Sequence, residues 1–152
     1  FSGIGWYTRL EFPYLNNIME QGEYVHIEQA ILKIYPEVGT YSDYNVLPDS
    51  IFLYIADENN VVTDAVKDYL GDEEQSGKLI KDDLFFGNTY YYFDVSQFMQ
   101  KELGASGKNK HNLQLVFNSD DYTKTLKNMT FSDSNGQFPI TLQLNYKIYE
   151  SY

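Results

Sequence analysis

The sequence predicts an all-β protein: a jelly-roll β-sandwich of about eight strands with one short crossover helix, at about residues 96–103. Most segments alternate apolar and polar residues with the period of a strand, and turn residues separate these segments. Aromatic residues make up 17% of the chain, led by 15 Tyr, and they favour strands. With 152 residues and no linker or repeat, the chain is predicted to form a single domain over residues 1–152.

The first two predicted strands each have one apolar face. The even-numbered residues of Trp6–Phe12 share one face, and Pro13 ends this strand. Residues 14–21 are predicted to form a turn or a single helical turn. A long strand follows over residues 22–35. Its apolar positions change from odd to even numbers near Glu28, which predicts a β-bulge there.

The middle of the chain is less regular. Residues 36–48 are predicted to be a loop, and residues 51–55 a nearly continuous apolar strand that turns at residues 57–60. The pattern at residues 61–69 fits either a strand or a short helix. Residues 71–78 are acidic and are predicted to be a mobile loop.

An aromatic strand over residues 89–93 leads into the predicted helix. Tyr91 is expected to point away from the tyrosines on either side of it, because side chains alternate along a strand. Ser96 is the predicted N-cap of the helix, and Gly104 is its predicted left-handed stop. The apolar stripe of the helix consists of residues at i, i+4 spacing: Val95, Met99 and Leu103.

Two regular strands complete the pattern. Residues 113–117 are predicted to form a strand whose odd-numbered side chains point inward. Residues 140–149 alternate without interruption, with apolar or aromatic side chains at the even positions. Roughly eight strands separated by turns predict a Greek-key sandwich or a jelly roll.

Composition and charge argue against several classes of function. A net charge of −11 with only 11 Lys and Arg argues against binding to nucleic acid or to an anionic membrane surface. The absence of Cys removes disulfides, thiolate catalysis and most zinc sites. No apolar run approaches the roughly 18–20 residues of a membrane helix, so no transmembrane segment is predicted in this chain.

The protein is predicted not to be an enzyme. Nothing in the sequence brings His26 and His111 together, and the G-x-S-x-G motif of serine hydrolases is absent. A polysaccharide-active enzyme with paired carboxylates is the remaining catalytic alternative, with Asp94, Asp120 and Asp121 as candidates. Asp94 is better explained as a turn residue between the aromatic strand and the helix.

The candidate ligand-binding residues lie in polar loops. Sugars stack their apolar faces on Tyr or Trp rings, while Asp and Asn side chains bind their hydroxyl groups. Five residues have this mixed character: Tyr41, Tyr44, Asp120, Asp121 and Tyr122. The leading hypothesis is therefore a surface binding module, with glycan as the first ligand to test. The alternative is a structural or adhesive domain that contacts another envelope protein.

Several segments carry a resemblance to known families. Residues 30–34, 92–96, 113–117 and 139–146, in this order, resemble jelly-roll modules related in fold to galactose-binding-like carbohydrate-binding domains. More closely, Tyr7–Asn17 together with Phe85-Phe86-Gly87 resembles a Bacteroidetes family of exported lipoproteins whose domain has no assigned function. Family members are longer, so this chain is expected to match their C-terminal part.

The resemblance implies a location and some chemistry. It implies a jelly-roll fold, export to the cell envelope, display at the outer-membrane surface and a lipid anchor on an N-terminal portion absent from this chain. It carries over no catalytic residue, and no cofactor is predicted apart from a possible structural calcium ion. Related modules often hold a structural calcium ion, for which residues 57–60 or 118–121 have suitable oxygen ligands. Asp49-Ser50-Ile51 fits the family's short acceptor pattern for O-glycosylation, at Ser50.

Overall fold

The computed structural model describes residues 7–22, 24–68, 71, 73–82, 84, 88–105, 111–117, 129–132 and 136–150. Within these ranges the chain forms eight strands, one 3₁₀-helix (Leu15–Gln21) and one α-helix, α1 (Ser96–Gly104). The strands are β1 (Thr8–Leu10), β2 (Tyr24–Ile34), β3 (Ser50–Ala56), β4 (Val62–Ala65), β5 (Ser76–Ile80), β6 (Tyr90–Asp94), β7 (Asn112–Phe117) and β8 (Thr141–Tyr149). The predicted all-β sandwich with about eight strands and one short helix is confirmed. Neither helix has the length and hydropathy needed to cross a membrane.

All strand pairs are antiparallel, and they follow one path, β1-β7-β3-β5-β6-β2-β8, with β4 beside β3. The path turns from one layer to the other at β5. Residues 76–78 of β5 pair with β3, whereas Leu79 and Ile80 pair with β6. We call β1, β7, β3 and β4 the first sheet, and β6, β2 and β8 the second sheet. Strand β5 belongs to both.

The core lies between the two sheets. Its most buried apolar side chains come from the second sheet (Leu32, Ile34, Tyr91 and Phe93) and from the first (Ile51, Leu53, Leu113 and Leu115). Tyr91 enters the core, and its hydroxyl donates a hydrogen bond of 2.5 Å to the carbonyl oxygen of Pro48. Tyr90 and Tyr92 lie on the opposite, outer face, as the alternation predicts.

The β-bulge predicted near Glu28 is confirmed. The register between β2 and β8 shifts between Ile27 and Gln29. Before the shift the buried residues of β2 have odd numbers, such as Val25, and after it they have even numbers, beginning at Ala30. The extra residue of the bulge therefore keeps both halves of the strand facing the core.

The helix α1 connects β6 of the second sheet to β7 of the first, and its apolar stripe packs into the core. Its predicted stripe is confirmed, since the residues at i, i+4 spacing and Phe98 beside them are all buried. The ring of Phe98 meets that of Phe12 edge to face, with 6.2 Å between ring centroids. This contact joins the helix to the segment that follows β1.

Polar side chains of α1 take the place of a strand along the first half of β2. Strand β6 pairs with Ile31–Ile34 only. Beside the preceding residues, the Ser96 hydroxyl accepts a hydrogen bond from the N–H of Ala30 (2.8 Å), and Gln100 Oε1 accepts one from the N–H of Ile27 (2.7 Å). Ser96 and Gln100 are four residues apart and share one helix face.

Three local predictions for these regions are wrong. Ser96 is not the N-cap, because its hydroxyl is engaged by β2; Val95 holds that position without a side-chain hydrogen bond. Gly104 does not supply a left-handed stop, since it lies within the helix and Ala105 follows in an extended conformation. Residues 71–78 are not all loop, because β5 begins at Ser76 and pairs on both sides.

The remaining elements agree with the patterns. The undecided segment at 61–69 contains a strand, β4. The turn predicted before the long strand is the 3₁₀-helix. Thr8 and Leu10 are half-buried and alternate with exposed neighbours in β1, while Trp6 lies outside the described residues.

Candidate binding face on the second sheet

The outer face of the second sheet carries aromatic side chains at one end. Register places Tyr92 of β6 opposite Lys33 of β2, and the ring of Tyr90 lies 5.6 Å from that of Tyr35, between centroids. The ring of Phe138 lies 6.2 Å from the ring of Tyr35. We call Tyr35, Tyr90, Tyr92 and Phe138 the outer aromatic cluster.

The cluster is held in place yet open to solvent. Tyr92 is 45% exposed, and the other three residues are half-buried against one another. The Lys33 ammonium group lies 5.1 Å from the centroid of the Tyr90 ring, within the range of a cation–π interaction. Rings fixed by their neighbours lose little conformational entropy when a ligand stacks on them.

Polar groups border the cluster on the neighbouring strand. Thr141 of β8 lies opposite Lys33, and Gln143 lies opposite Ile31; both polar residues are exposed. One row further, the Asn145 side-chain amide donates to the Gln29 side-chain oxygen at 3.3 Å. The cluster is therefore flanked by an ammonium, a hydroxyl and amide groups, all of which form hydrogen bonds with hydroxylated ligands.

A second pair of tyrosines stands at the far end of the same face. The rings of Tyr24 and Tyr149 lie 5.8 Å apart, and the two residues are 54% and 50% exposed. Between the two ends Lys147 forms an ion pair with Glu28, and this carboxylate raises the pKa of Lys147. At about 3.3 Å per residue, the extended segment from Tyr24 to Tyr35 spans roughly 36 Å. The face is thus long, aromatic at both ends and polar in the middle.

A polar groove of about 230 Å³ runs beside this face. It is lined by Glu28, Gln29, Lys67, Asp68, Asp94, Ser96 and Gln97. Each of its three carboxylates already has a structural partner. Glu28 pairs with Lys147, Asp94 Oδ1 accepts from the N–H of Ser96 at 2.9 Å, and Asp68 accepts from the backbone of its own turn. The turn role predicted for Asp94 is confirmed, because its side chain binds the backbone at the junction between β6 and α1.

The sequence-predicted ligand residues have different surroundings. Tyr41 is half-buried and packs against the hydrophobic core, whereas Tyr44 is fully exposed at 101%. The loop at 36–48 therefore presents one ring rather than two as an open platform. Asp120, Asp121 and Tyr122 lie outside the described residues.

Side-chain oxygens of the acidic turn at residues 57–60 accept hydrogen bonds from other groups of the protein. Asp57 Oδ1 accepts hydrogen bonds from the N–H groups of Asn59 and Val61, at 2.9 and 2.8 Å, and Asn60 Oδ1 accepts from Arg9 at 2.9 Å. Within the described ranges, no group of three or more His, Cys, Asp or Glu residues is arranged to hold a metal ion. The second calcium candidate, at 118–121, falls outside these ranges, and structural calcium stays a prediction.

The two histidines lie in different parts of the fold. His26 is exposed on the outer face of β2, beside Lys147 of β8. His111 directly precedes β7, and its Nδ1 lies 2.6 Å from Oε1 of Glu102, a carboxylate that is almost completely buried. The backbone N–H of His111 donates to the other carboxylate oxygen at 3.3 Å. His111 therefore joins the end of α1 to the start of β7.

The outer aromatic cluster was not among the sequence-predicted site residues. A signal was present, because Tyr90 and Tyr92 share one face of their strand. Whether that face meets solvent or the other sheet depends on the topology, which the alternation alone does not give. In comparisons with known proteins, no protein-family model, no curated protein and no solved structure matches this chain.

Proposed function

We propose that this protein is a non-catalytic binding module and that the outer face of its second sheet binds a glycan. The observation that carries the proposal is the outer aromatic cluster bordered by Lys33, Thr141 and Gln143. Aromatic rings on the solvent side of a sheet add nothing to the core between the sheets, and exposed apolar clusters commonly mark interaction sites. Flat rings beside hydrogen-bonding groups are complementary to sugars, which have apolar faces and hydroxyl edges.

The proposal includes export to the cell envelope, which the resemblance implies. A module at the cell surface meets polysaccharides directly. The acidic net charge of −11 favours a neutral or cationic glycan over a highly anionic one, because a polyanion would be repelled at long range.

The test is a glycan-array screen and affinity electrophoresis in polysaccharide gels on the folded protein, with and without calcium. Tyr92→Ala removes the most exposed ring of the cluster and is expected to weaken binding about tenfold or more. Tyr92→Phe keeps the ring and is expected to retain most of the affinity. Thermal unfolding of each variant verifies that the fold is intact.

The variant Tyr44→Ala tests whether the glycan binds at the loop 36–48 instead of at the outer aromatic cluster. Tyr44 is fully exposed, so its removal leaves the core unchanged. Binding that is lost in Tyr44→Ala and kept in Tyr92→Ala would move the site to the loop. A folded protein that binds no glycan under either condition would contradict the proposed ligand and favour a structural or adhesive role.

A further inference from the structure

Strand β8 is a long edge of the second sheet. It has nine residues, ends the strand path and pairs with β2 alone among the described strands. Its inward side chains are incompletely covered: Leu142 and Leu144 are half-buried, and Tyr146 and Ile148 are 36% and 38% exposed. A long edge strand with an apolar inner face is a template for pairing with another strand.

An open apolar pocket lies at the same place. It has a volume of about 300 Å³ and is lined by Phe12, Pro13, Leu15 and Ile18, from the segment after β1, and by Leu142 and Leu144 of β8. The pocket extends the incompletely covered surface of β8 away from the strand. A partner that pairs with β8 would therefore meet apolar surface beside the strand as well as along it.

The sequence of β8 is complementary to itself. When two copies run antiparallel about Asn145, Leu142 lies opposite Ile148, Leu144 opposite Tyr146, and Gln143 opposite Lys147. Apolar side chains meet apolar ones on the inner face, and polar ones meet on the outer face. Lys147 is the one charged residue of the strand, so this register brings no like charges together.

We propose that this protein forms a two-fold symmetric homodimer in which the β8 strands of two copies pair antiparallel about Asn145. In this arrangement Tyr146 and Ile148 of the second copy lie beside Leu144 and Leu142, at the apolar pocket. The contact is isologous, so each copy uses the same surface and the assembly closes at two. The dimer joins two second sheets into one surface, but the inference does not depend on glycan binding.

Two substitutions of the exposed residue Gln143 test the register by charge. Gln143→Lys places a lysine opposite Lys147 at two symmetry-related positions, whereas Gln143→Glu places a carboxylate there. From the strength of single cross-strand pairs, we expect Gln143→Lys to raise the dimer Kd by about 2- to 30-fold and Gln143→Glu to lower it by a similar factor. Sedimentation equilibrium over a concentration series measures both.

Long-range charge repulsion between the two copies would change the dimer Kd of these two variants in the opposite directions. The protein carries a net charge of −11, so Gln143→Glu adds to its self-repulsion and Gln143→Lys reduces it. A tighter Gln143→Glu dimer therefore supports the proposed register. Equal or reversed responses of the two variants would overturn it.

Cross-linking tests the two-fold axis directly. The chain has no Cys, so Asn145→Cys introduces a single thiol at the axis. Paired Cα atoms about 4.5–5.5 Å apart are within disulfide range, whereas two copies of position 143 would be roughly 14 Å apart. Mild oxidation is expected to give a covalent dimer with Asn145→Cys and little with Gln143→Cys. A protein that stays monomeric at its highest soluble concentration, with no cross-linking of Asn145→Cys, would refute the dimer.

Discussion

The ring of Phe93 lies directly over Gly77. A Cβ atom at position 77 would be 2.1 Å from Cζ and 2.5 Å from Cε2 of Phe93, much closer than van der Waals contact. Phe93 is completely buried, so its ring has no solvent-side position to which it can move. Because Gly77 lies where β5 pairs with the first sheet and Phe93 belongs to the second, this contact fixes how closely the two layers approach.

Gly77→Ala is therefore expected to lower the free energy of unfolding by about 1–3 kcal/mol, the usual range for overpacking a core. Gly104→Ala is the matched control. Its Cβ would meet nothing within 4 Å, and its backbone is not left-handed, so this change is expected to stabilise the protein by about 0.4–1 kcal/mol. Chemical denaturation measures both. A stable Gly77→Ala variant would show that β5 and Phe93 are not in contact.

Gln100→Ala is expected to destabilise the protein by about 1–3 kcal/mol, because it leaves the N–H of Ile27 without its acceptor beside a buried side chain. Gln97 belongs to the same helix and is exposed, so Gln97→Ala is expected to change stability by no more than about 0.5 kcal/mol. Denaturant titration compares the two. Amide hydrogen exchange gives a second readout, since exchange at Ile27 is expected to accelerate in Gln100→Ala alone.

His111→Ala is expected to lower stability by about 1–3 kcal/mol, because it removes the side-chain partner of the buried Glu102 carboxylate. The other histidine provides the control. His26 is exposed on the outer face of β2, and His26→Ala is expected to have an effect within about 0.5 kcal/mol. If the two variants unfold at the same denaturant concentration, Glu102 does not depend on His111.

Tyr54 is expected to ionise at a higher pH than an ordinary tyrosine. Partial burial, together with the hydrogen bond to Glu74 and the charge of that carboxylate, raises the pKa of Tyr54 to about 12. A raised pKa means that this group stabilises the folded state fully below pH 10; the stabilisation is lost as the pH rises from about 10 to about 12, because the unfolded chain loses the proton first.

The difference between the ultraviolet pH titrations of the wild-type protein and Tyr54→Phe reports the ionisation of Tyr54 alone. Glu74→Gln is expected to shift this difference toward pH 10, and Glu73→Gln, one residue away, is expected to leave it unchanged. A difference curve centred near pH 10 in the wild-type protein would contradict the contact between Tyr54 and Glu74.

Strands with regular alternation were predictable from the sequence, because burial of one face imposes a period of two. Residues 140–149 and the bulge near Glu28 are the clearest cases. Strand β5 was not predictable in this way. Its second residue is Gly77, which must be small because of Phe93, so the strand lacks the apolar alternation that marks the others. The N-cap prediction for Ser96 was wrong because its hydroxyl binds β2, a strand that is distant in sequence.

The binding face was only partly predictable. The loop tyrosines were chosen for their polar neighbours in sequence, yet Tyr41 packs against the core. The outer aromatic cluster combines residues from β6, from the end of the chain segment that forms β2 (Tyr35, which directly follows the strand) and from the segment before β8. Its members are dispersed along the chain, and no local pattern joins Tyr35 to Phe138 until the sheet has formed.

Strand β5, which belongs to both sheets, couples the unfolding of one sheet to that of the other. Separation of the two layers breaks backbone pairing on one side of β5, because this strand pairs with both sheets. Unfolding is therefore expected to be a single all-or-none transition, in which fluorescence and circular dichroism change together. In native-state hydrogen exchange, the amides of β5 are expected to exchange only through global opening, at the same free energy as the core amides of β2 and β3.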